Sequence, residues 1–191
     1  MEKQKELEKL HQEIRNCKKC SLWKWRKNAV PGEGPANAKI FICGQAPGAE
    51  EDKTGKPFVG RAGILLNKLL KIAGIERKKM FITSPLKCLP QPPINRKPKK
   101  EEIKSCFPYL KKQVELINPK YFILLGEVAF SIFFPKEKLS NYRGKWIKKE
   151  GKFYFPTYHP AAGLRFPKIR STLEGDFKEC GRFLTQNLKI F

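Results

Sequence analysis

Four cysteines carry the clearest metal-ligating pattern in this sequence. Cys17 and Cys20 are spaced C-x-x-C, Cys88 lies in a proline-rich stretch, and Cys106 comes at the start of a predicted helix. Thiolates are soft ligands that suit zinc or an iron–sulfur cluster. Zinc sites more often combine two C-x-x-C pairs, so the split spacing favours a cluster while leaving zinc open. The other two cysteines, Cys43 and Cys180, lie in apolar patterns and are predicted to be core residues.

The two histidines differ in what they can do. His11 lies on a charged N-terminal helix pattern and is expected to be solvated. His159 lies in Tyr-His-Pro-Ala-Ala, directly after a predicted strand. A histidine there can donate to a developing oxyanion or act in acid–base chemistry. A purely structural role for His159 is the alternative at this stage.

A Gly-rich stretch, residues 44–60, joins a short apolar strand to a helix pattern. Gly44 and Gly48 permit tight turns and close ligand approach. Ligands of open α/β sheets bind at the carboxyl ends of the strands. We therefore interpret this stretch as one wall of a binding site rather than an ordinary connecting loop.

Alternating strand and helix patterns predict a three-layer α/β/α fold with a central, mostly parallel, four-stranded sheet, in one domain over residues 1–191. The predicted strands are residues 39–43, 79–83, 121–125 and 152–157. The predicted helices are residues 3–16, 63–73, 99–117, 127–133 and a closing helix over 173–188. Three predicted loops, residues 44–60, 84–98 and 159–167, follow strand ends and should meet at one edge of a parallel sheet.

The charge balance indicates a polyanionic partner. Lys and Arg number 40 against 18 Asp and Glu, a formal net charge of +22. Nucleic acid is the first expectation and an anionic membrane surface the second, with a merely Lys-rich surface as the alternative. No apolar run reaches the ~18 residues that a membrane span requires, and the charged N-terminus lacks the apolar core of a signal peptide. We expect a cytoplasmic monomer.

Several segments resemble the motifs of the family 4 uracil-DNA glycosylases, the iron–sulfur members of the uracil-DNA glycosylase superfamily. The segments are residues 44–52, 55–63, 81–88, the pair Asn95-Arg96, and His159-Pro160-Ala161-Ala162. Their order and spacing follow the family from about Leu7 to Asp176. The fold implied by the resemblance is the uracil-DNA glycosylase fold. The implied activity is monofunctional removal of a deaminated base, most simply uracil, from single- or double-stranded DNA during base-excision repair.

The resemblance also implies a cofactor and a set of site residues. A [4Fe–4S] cluster would be held by Cys17, Cys20, Cys88 and Cys106, in a subregion built from residues 17–20 and 84–106. The catalytic residues would be His159 and Gln45, and Leu164 and Arg165 would contact DNA as wedge and phosphate ligand. The base-binding residues would be Gly44, Gln45, Ala46, Pro47, Gly48, Phe58, Ser84 and His159.

Two pocket positions depart from the family pattern. The family usually has Glu at the position of Gln45 and Asn at the position of Ser84. Gln45 can orient water but carries no charge, and Ser84 is too short for a two-point contact with a base. Three interpretations follow: removal of uracil, preference for hypoxanthine or xanthine, or a non-catalytic iron–sulfur module that binds DNA.

Overall fold

The computed structural model describes residues 2–93 and 96–188 and contains a central sheet with the strand order β2-β1-β3-β5-β4. The strands are β1 Ile40–Cys43, β2 Met80–Thr83, β3 Tyr121–Leu125, β4 Ile147–Lys149 and β5 Lys152–Thr157. The predicted mostly parallel sheet is confirmed, but it has five strands rather than four. The additional strand, β4, pairs antiparallel with β5 at the sheet edge. Its three residues carry two exposed lysines and no apolar alternation, so the strand gives no signal in the sequence.

The parallel register brings four strand ends to one edge. Cys43 of β1 pairs with Thr83 of β2 and Leu124 of β3, and Leu125 of β3 pairs with Thr157 of β5. The segments that follow these strands therefore start side by side, as expected for a doubly wound sheet.

Helices cover both faces of the sheet. The long helices are α1 Glu2–Arg15, α3 Arg61–Ile72, α4 Lys100–Ile117 and α8 Pro167–Asn187. The shorter ones are α2 Ala49–Thr54, α5 Glu127–Phe133, α6 Leu139–Tyr142 and α7 Pro160–Arg165, with 3-10 turns at Ser21–Lys24 and Arg77–Lys79. The predicted three-layer arrangement is confirmed.

Alternation along the strands divides the core in two. Ile40 and Ile42 of β1 point into an apolar cluster shared with α3 and α8. Phe41 and Cys43 point into the opposite cluster, which includes residues of α4 and α5. This period of two is what a strand buried on both faces requires.

Two of the three predicted loops contain helices. Helix α2 lies within residues 44–60, and α7 occupies most of residues 159–167. Pro160 stands at the first position of α7, where proline costs no hydrogen bond. Residues 84–93 form no helix or strand, in agreement with the prolines there. Within residues 2–93 and 96–188, no helix combines the length and apolarity needed to cross a membrane.

Candidate active site and cysteine pocket

The strand-end site, as we call the group Gly44–Gly48, Phe58, Ser84 and His159, lies at the carboxyl edge of the sheet. Gly44 and Ser84 follow β1 and β2, and the Gly44 amide still donates to the Thr83 carbonyl at 2.8 Å. Phe58 and His159 place their rings against each other, with centroids 5.7 Å apart and planes 26° apart. The structure therefore brings Gly44, Phe58 and His159 together at one sheet edge, beside the strand end that leads to Ser84.

His159 is held in one tautomer by the helix that it caps. The backbone N–H of Ala161 donates to His159 Nδ1 at 3.2 Å, at the start of α7. An Nδ1 atom that accepts carries no proton, so the ring proton resides on Nε2. His159 thus presents Nε2–H as a hydrogen-bond donor while its ring is neutral.

Burial keeps this imidazole neutral. It lowers the pKa of His159 to about 4, and the nearby carboxylate of Glu51 offsets only part of that shift.

Gly126, which follows β3, lies so close that a Cβ there would come within 3.0 Å of the His159 Cβ. Gly126 also adopts φ +88, a conformation that favours glycine.

Phe58 has a strained backbone. Its φ is +51, and for a bulky side chain such a value is an outlier that the surrounding structure must enforce. Gly63 allows this geometry, because a Cβ at Gly63 would lie 1.9 Å from the Phe58 carbonyl oxygen. On the other side, a Cβ at Gly44 would lie 2.7 Å from the Phe58 ring. Gly44 and Gly63 therefore leave the space that the backbone and ring of Phe58 occupy.

Two charged side chains brace the Phe58 segment, and the sequence predicted this bracing role for neither. The Glu51 carboxylate accepts from the backbone N–H groups of Val59 and Gly60 at 2.8 Å and of Gly48 at 3.1 Å. Arg77 donates to the carbonyl oxygens of Pro57 at 2.7 Å and Phe58 at 3.4 Å. The spacing Gly48-x-x-Glu51 resembles a capping box and was the one available signal.

The acidic residues near Gln45 are already engaged. Glu51 is bound to backbone amides, Asp52 is buried and accepts from the Lys27 N–H, and Glu50 pairs with Lys53 at 2.7 Å. Each of these three carboxylates therefore already has a partner elsewhere and does not stand in for the charge that Gln45 lacks.

Gln45 and Ser84 present different chemistry to the site. Gln45 is half-buried, and within the part of the chain that the structure describes no hydrogen bond involves its side chain. Ser84 is buried, and its hydroxyl donates to the Leu86 carbonyl at 2.7 Å. The hydroxyl proton is thus committed, and Ser84 Oγ offers only lone pairs to a ligand.

The residues predicted to contact DNA lie on the surface next to His159. Leu164 is 40% exposed at the end of α7, and Arg165 beside it is exposed. Phe166, which the sequence argument missed, is 56% exposed. Leu164 and Phe166 thus expose two apolar side chains with the Arg165 cation between them in sequence, the type of surface that enters a minor groove.

The cysteine pocket, as we call the site of Cys17, Cys20, Cys88 and Cys106, is separate from the strand-end site. All four thiols line one pocket, together with residues that include Arg26 and Tyr109. Cys88 and Cys106 are buried, and the first pair is half-buried. In the described ranges 2–93 and 96–188, no three side chains of metal-binding type are grouped closely enough for a single metal ion. The four thiols therefore share the walls of a pocket without converging on one point.

N–H donors are directed at two of these sulfur atoms, while burial favours the neutral thiol at a third. Arg26 Nη1 donates to Cys88 Sγ at 3.3 Å, and the Lys19 N–H donates to Cys17 Sγ at 3.4 Å. Burial raises the pKa of Cys106 to about 12, with Lys87 acting in the opposite direction. A set of N–H donors directed at sulfur is the outer shell expected around an anionic thiolate centre.

The remaining sequence expectations have mixed outcomes. Cys43 and Cys180 are fully buried, as predicted. The prediction for His11 is wrong: it is 7% exposed and packs near Phe81, because α1 turns this face towards the sheet. Trp23 lines the cysteine pocket. Asn95, part of the resemblance, lies outside the described residues.

The basic segment 143–149, a candidate phosphate contact, begins with a structural arginine. Arg143 forms an ion pair with the buried Asp176 and stacks on the Tyr158 ring at 5.5 Å. The other oxygen of Asp176 accepts from the Thr157 hydroxyl at 2.6 Å. Arg143 therefore supports the strand end that precedes His159.

Comparison with known proteins agrees with the site. The family model described as the uracil DNA glycosylase superfamily matches residues 31–180. The type-4 uracil-DNA glycosylase of Sulfurisphaera tokodaii is 48% identical over 183 residues, covering 91% of this chain and 82% of that protein. The type-4 enzyme of Saccharolobus solfataricus is 48% identical, with 91% and 84% covered, and that of Thermotoga maritima is 42% identical, with 83% of each chain covered.

Proposed function

Because the chain belongs to the type-4 uracil-DNA glycosylases of the uracil DNA glycosylase superfamily, we propose that its strand-end site takes up uracil flipped out of DNA and that His159 assists hydrolysis of the N-glycosidic bond. The observation that carries the proposal is the Ala161 N–H bond to His159 Nδ1, which leaves Nε2–H as a donor. The family predicted from the sequence motifs is confirmed.

Hydrolysis moves negative charge onto the base. As the bond between C1′ and N1 breaks, its electron pair passes to N1 and delocalises onto O2 of the uracil. A neutral imidazole placed at O2 stabilises this charge by donating a hydrogen bond from Nε2–H. Water supplies the oxygen that binds C1′, and its proton leaves with the base or to solvent.

Gln45 and Ser84 have narrower roles in this proposal. Gln45 carries an amide oxygen that can accept from the attacking water and orient it, although an amide is a very poor base. Ser84 Oγ, with its proton committed to Leu86, can accept from uracil N3–H but cannot donate to O4. Phe58 would stack on the flipped base. Uracil remains a substrate under this arrangement, with weaker discrimination than a two-point contact gives.

The charge and surface of the chain support DNA as substrate. The net charge of +22 favours phosphate contacts, which set affinity without reading sequence. Flipping a base costs a few kcal/mol. Leu164 as a wedge in the vacated stack, with Arg165 at a phosphate, would offset that cost.

The cysteine pocket is proposed to hold a [4Fe–4S] cluster on Cys17, Cys20, Cys88 and Cys106. Support comes from the shared pocket and from the donors directed at sulfur. When bound, the cluster would supply a structural cross-link between the end of α1, the proline-rich segment and α4. No step of the hydrolysis passes through it.

Iron analysis and absorbance spectroscopy test the cofactor. We expect about four iron atoms per chain and absorbance at ~400 nm from Fe–S charge transfer. Zinc in a colourless protein would contradict the proposed cluster.

A panel of oligonucleotides tests the activity. Purified protein is incubated with strands that contain one uracil, hypoxanthine or xanthine, in single- and double-stranded form, and abasic sites are then cleaved with alkali. We expect abasic product from uracil, and none without alkali because no lyase step is proposed.

The other outcomes have distinct meanings. Product from hypoxanthine or xanthine alone would show that Ser84 has changed the accepted base. Salt-dependent binding without product from any strand would contradict the enzyme assignment and favour a DNA-binding module.

A further inference from the structure

A fully buried lysine lies between the cysteine pocket and the strand-end site. Lys87 is 1% exposed, and its side chain lines the cysteine pocket one residue before Cys88. It belongs to the proline-rich segment that starts at Ser84. Lysine is almost never fully buried without partners, so its position requires an explanation.

The hydrogen-bond partners of Lys87 suit the ammonium form of its side chain. Nζ donates to Thr83 Oγ1 at 2.6 Å, to Gln113 Oε1 at 2.7 Å and to the Ser84 carbonyl at 2.8 Å. Thr83 and Gln113 each give a proton to the Pro31 carbonyl at 2.8 Å, which leaves their oxygens as acceptors. Three acceptors surround Nζ, and only the charged form has three protons to donate.

The same side chain shares a pocket with sulfur. Lys87 lines the cysteine pocket together with Cys88 and Cys106. Both cysteines are proposed cluster ligands, and Cys106 lies on α4, the helix that also carries Gln113. A buried cation between thiolates and backbone carbonyls offsets negative charge that water cannot reach.

We propose that Lys87 is a positioning residue that connects the two sites. Its Nζ fixes Ser84 for base recognition, and its positive charge lies in the wall of the cysteine pocket. The inference deepens the proposed function and rests on it. Because Nζ holds the Ser84 carbonyl, the hydroxyl of Ser84 keeps its place relative to the base. Because Lys87 lines the pocket of Cys88 and Cys106, its positive charge would stabilise the reduced form of a cluster held there.

The test compares Lys87→Met, Lys87→Arg and Ser84→Ala with Lys78→Met, whose lysine is a solvent-exposed surface residue. The first measurement is the affinity of the full-length protein for free uracil. We expect Lys87→Met and Lys87→Arg to weaken binding about tenfold, the loss of one well-placed hydrogen bond. In the Ser84→Ala background the Lys87 substitutions should cause no further loss, and Lys78→Met should bind as the unaltered protein does.

The second measurement is the reduction potential of the cluster in the same proteins. Lys87→Met removes a positive charge and should shift the potential in the negative direction. Lys87→Arg keeps the charge and should stay near the potential of Lys78→Met. A purely structural lysine would not separate the two variants in this way. If Lys87→Met does not fold, the Arg variant and its Ser84→Ala double variant still decide the uracil measurement.

The outcomes separate the inference from the proposed function. Uracil affinity unchanged in both Lys87 variants would overturn the inference, as would equal losses whether or not Ser84 is present. Failure of the unaltered protein to bind uracil would instead contradict the proposed substrate. An unaltered protein without iron would contradict the cofactor, and the uracil measurements alone would then decide the role of Lys87.

Discussion

The strand-end site and the cysteine pocket are held in place in different ways. At the strand-end site the backbone is strained, with Phe58 at φ +51, and hydrogen bonds from the side chains of Glu51 and Arg77 hold it there. At the cysteine pocket the residues pack on an apolar cluster that includes Leu10, Ile14 and Leu86. The first site therefore depends on polar braces and the second on packing. The comparison predicts that single substitutions will impair recognition at the first site and folding at the second.

Loss of the His159 imidazole should have the largest effect. Replacing it with alanine or asparagine is expected to lower kcat by about 100- to 1000-fold, the usual consequence of losing one oxyanion donor. Asparagine can still cap α7, so His159→Asn separates the donor from the cap. Single-turnover rates on uracil-containing DNA measure the effect. Equal activity of the Asn variant and the unaltered protein would refute the donor role.

Loss of a proposed cluster ligand should affect stability before chemistry. Cys88→Ser is expected to lower the iron content and the melting temperature, with activity falling in proportion to the folded fraction. Cys180→Ser is the matched control, because that thiol is also buried but lies on α8, in the core and away from the cysteine pocket. Iron analysis and thermal unfolding distinguish the two. Full iron content in Cys88→Ser would contradict the ligand assignment.

Weakening the brace at Glu51 should affect recognition rather than folding. Glu51→Gln replaces one accepting oxygen with a donor, and a buried N–H left without a partner costs about 1–3 kcal/mol. We expect KM for uracil-containing DNA to rise about tenfold, since 1.4 kcal/mol corresponds to that factor. Glu50→Gln is the control, because Glu50 makes only an exposed pair with Lys53. An equal change in both variants would argue against the brace.

Restoring the family residues at the two divergent positions should have a smaller effect. Gln45→Glu supplies a carboxylate next to the attacking water, and Ser84→Asn supplies both a donor and an acceptor to the base. Each change is expected to raise kcat/KM for uracil several-fold, in line with one extra hydrogen bond of about 1 kcal/mol. Kinetics on the oligonucleotide panel measure it. Activity that appears only in the double variant would show that the natural chain either has another substrate or binds DNA without catalysis.

A change of pH should have the smallest of these effects, and it should act on stability rather than on the reaction rate. Burial lowers the pKa of His159 and of His11 to about 4, below the unfolded value of about 6.5. The unfolded chain therefore takes up protons first, and stability should decline as the pH falls from about 6.5 towards 4. The rate should show no titration near 6.5, because His159 stays neutral there. A rate that halves near pH 6.5 would contradict this.

Different physical signals explain what the sequence could and could not predict. The apolar runs of β1, β2, β3 and β5 are buried on both faces and were found, whereas β4 exists through its pairing with β5 and was missed. Hydrophobic periodicity reflects burial, so an edge strand with exposed lysines shows no periodic pattern in the sequence. His11 is a different case, because it lies on the same helical face as Leu7 and Ile14, and the periodicity did carry a signal of its burial.

The sequence by itself determined the chemistry: four thiols, one histidine after a strand, a Gly-rich turn and a strongly basic chain. These follow from residue type and local spacing, which do not depend on distant parts of the chain. Only the tertiary structure decided which nitrogen of His159 carries the proton, that Glu51 and Arg77 hold Phe58, and that Lys87 joins two sites. The bonds at His159 and Lys87 join residues close in sequence, but the folded backbone and the burial around it set their geometry. Arg77 reaches the Phe58 carbonyl from 19 residues away, and such a contact leaves no local pattern in the sequence.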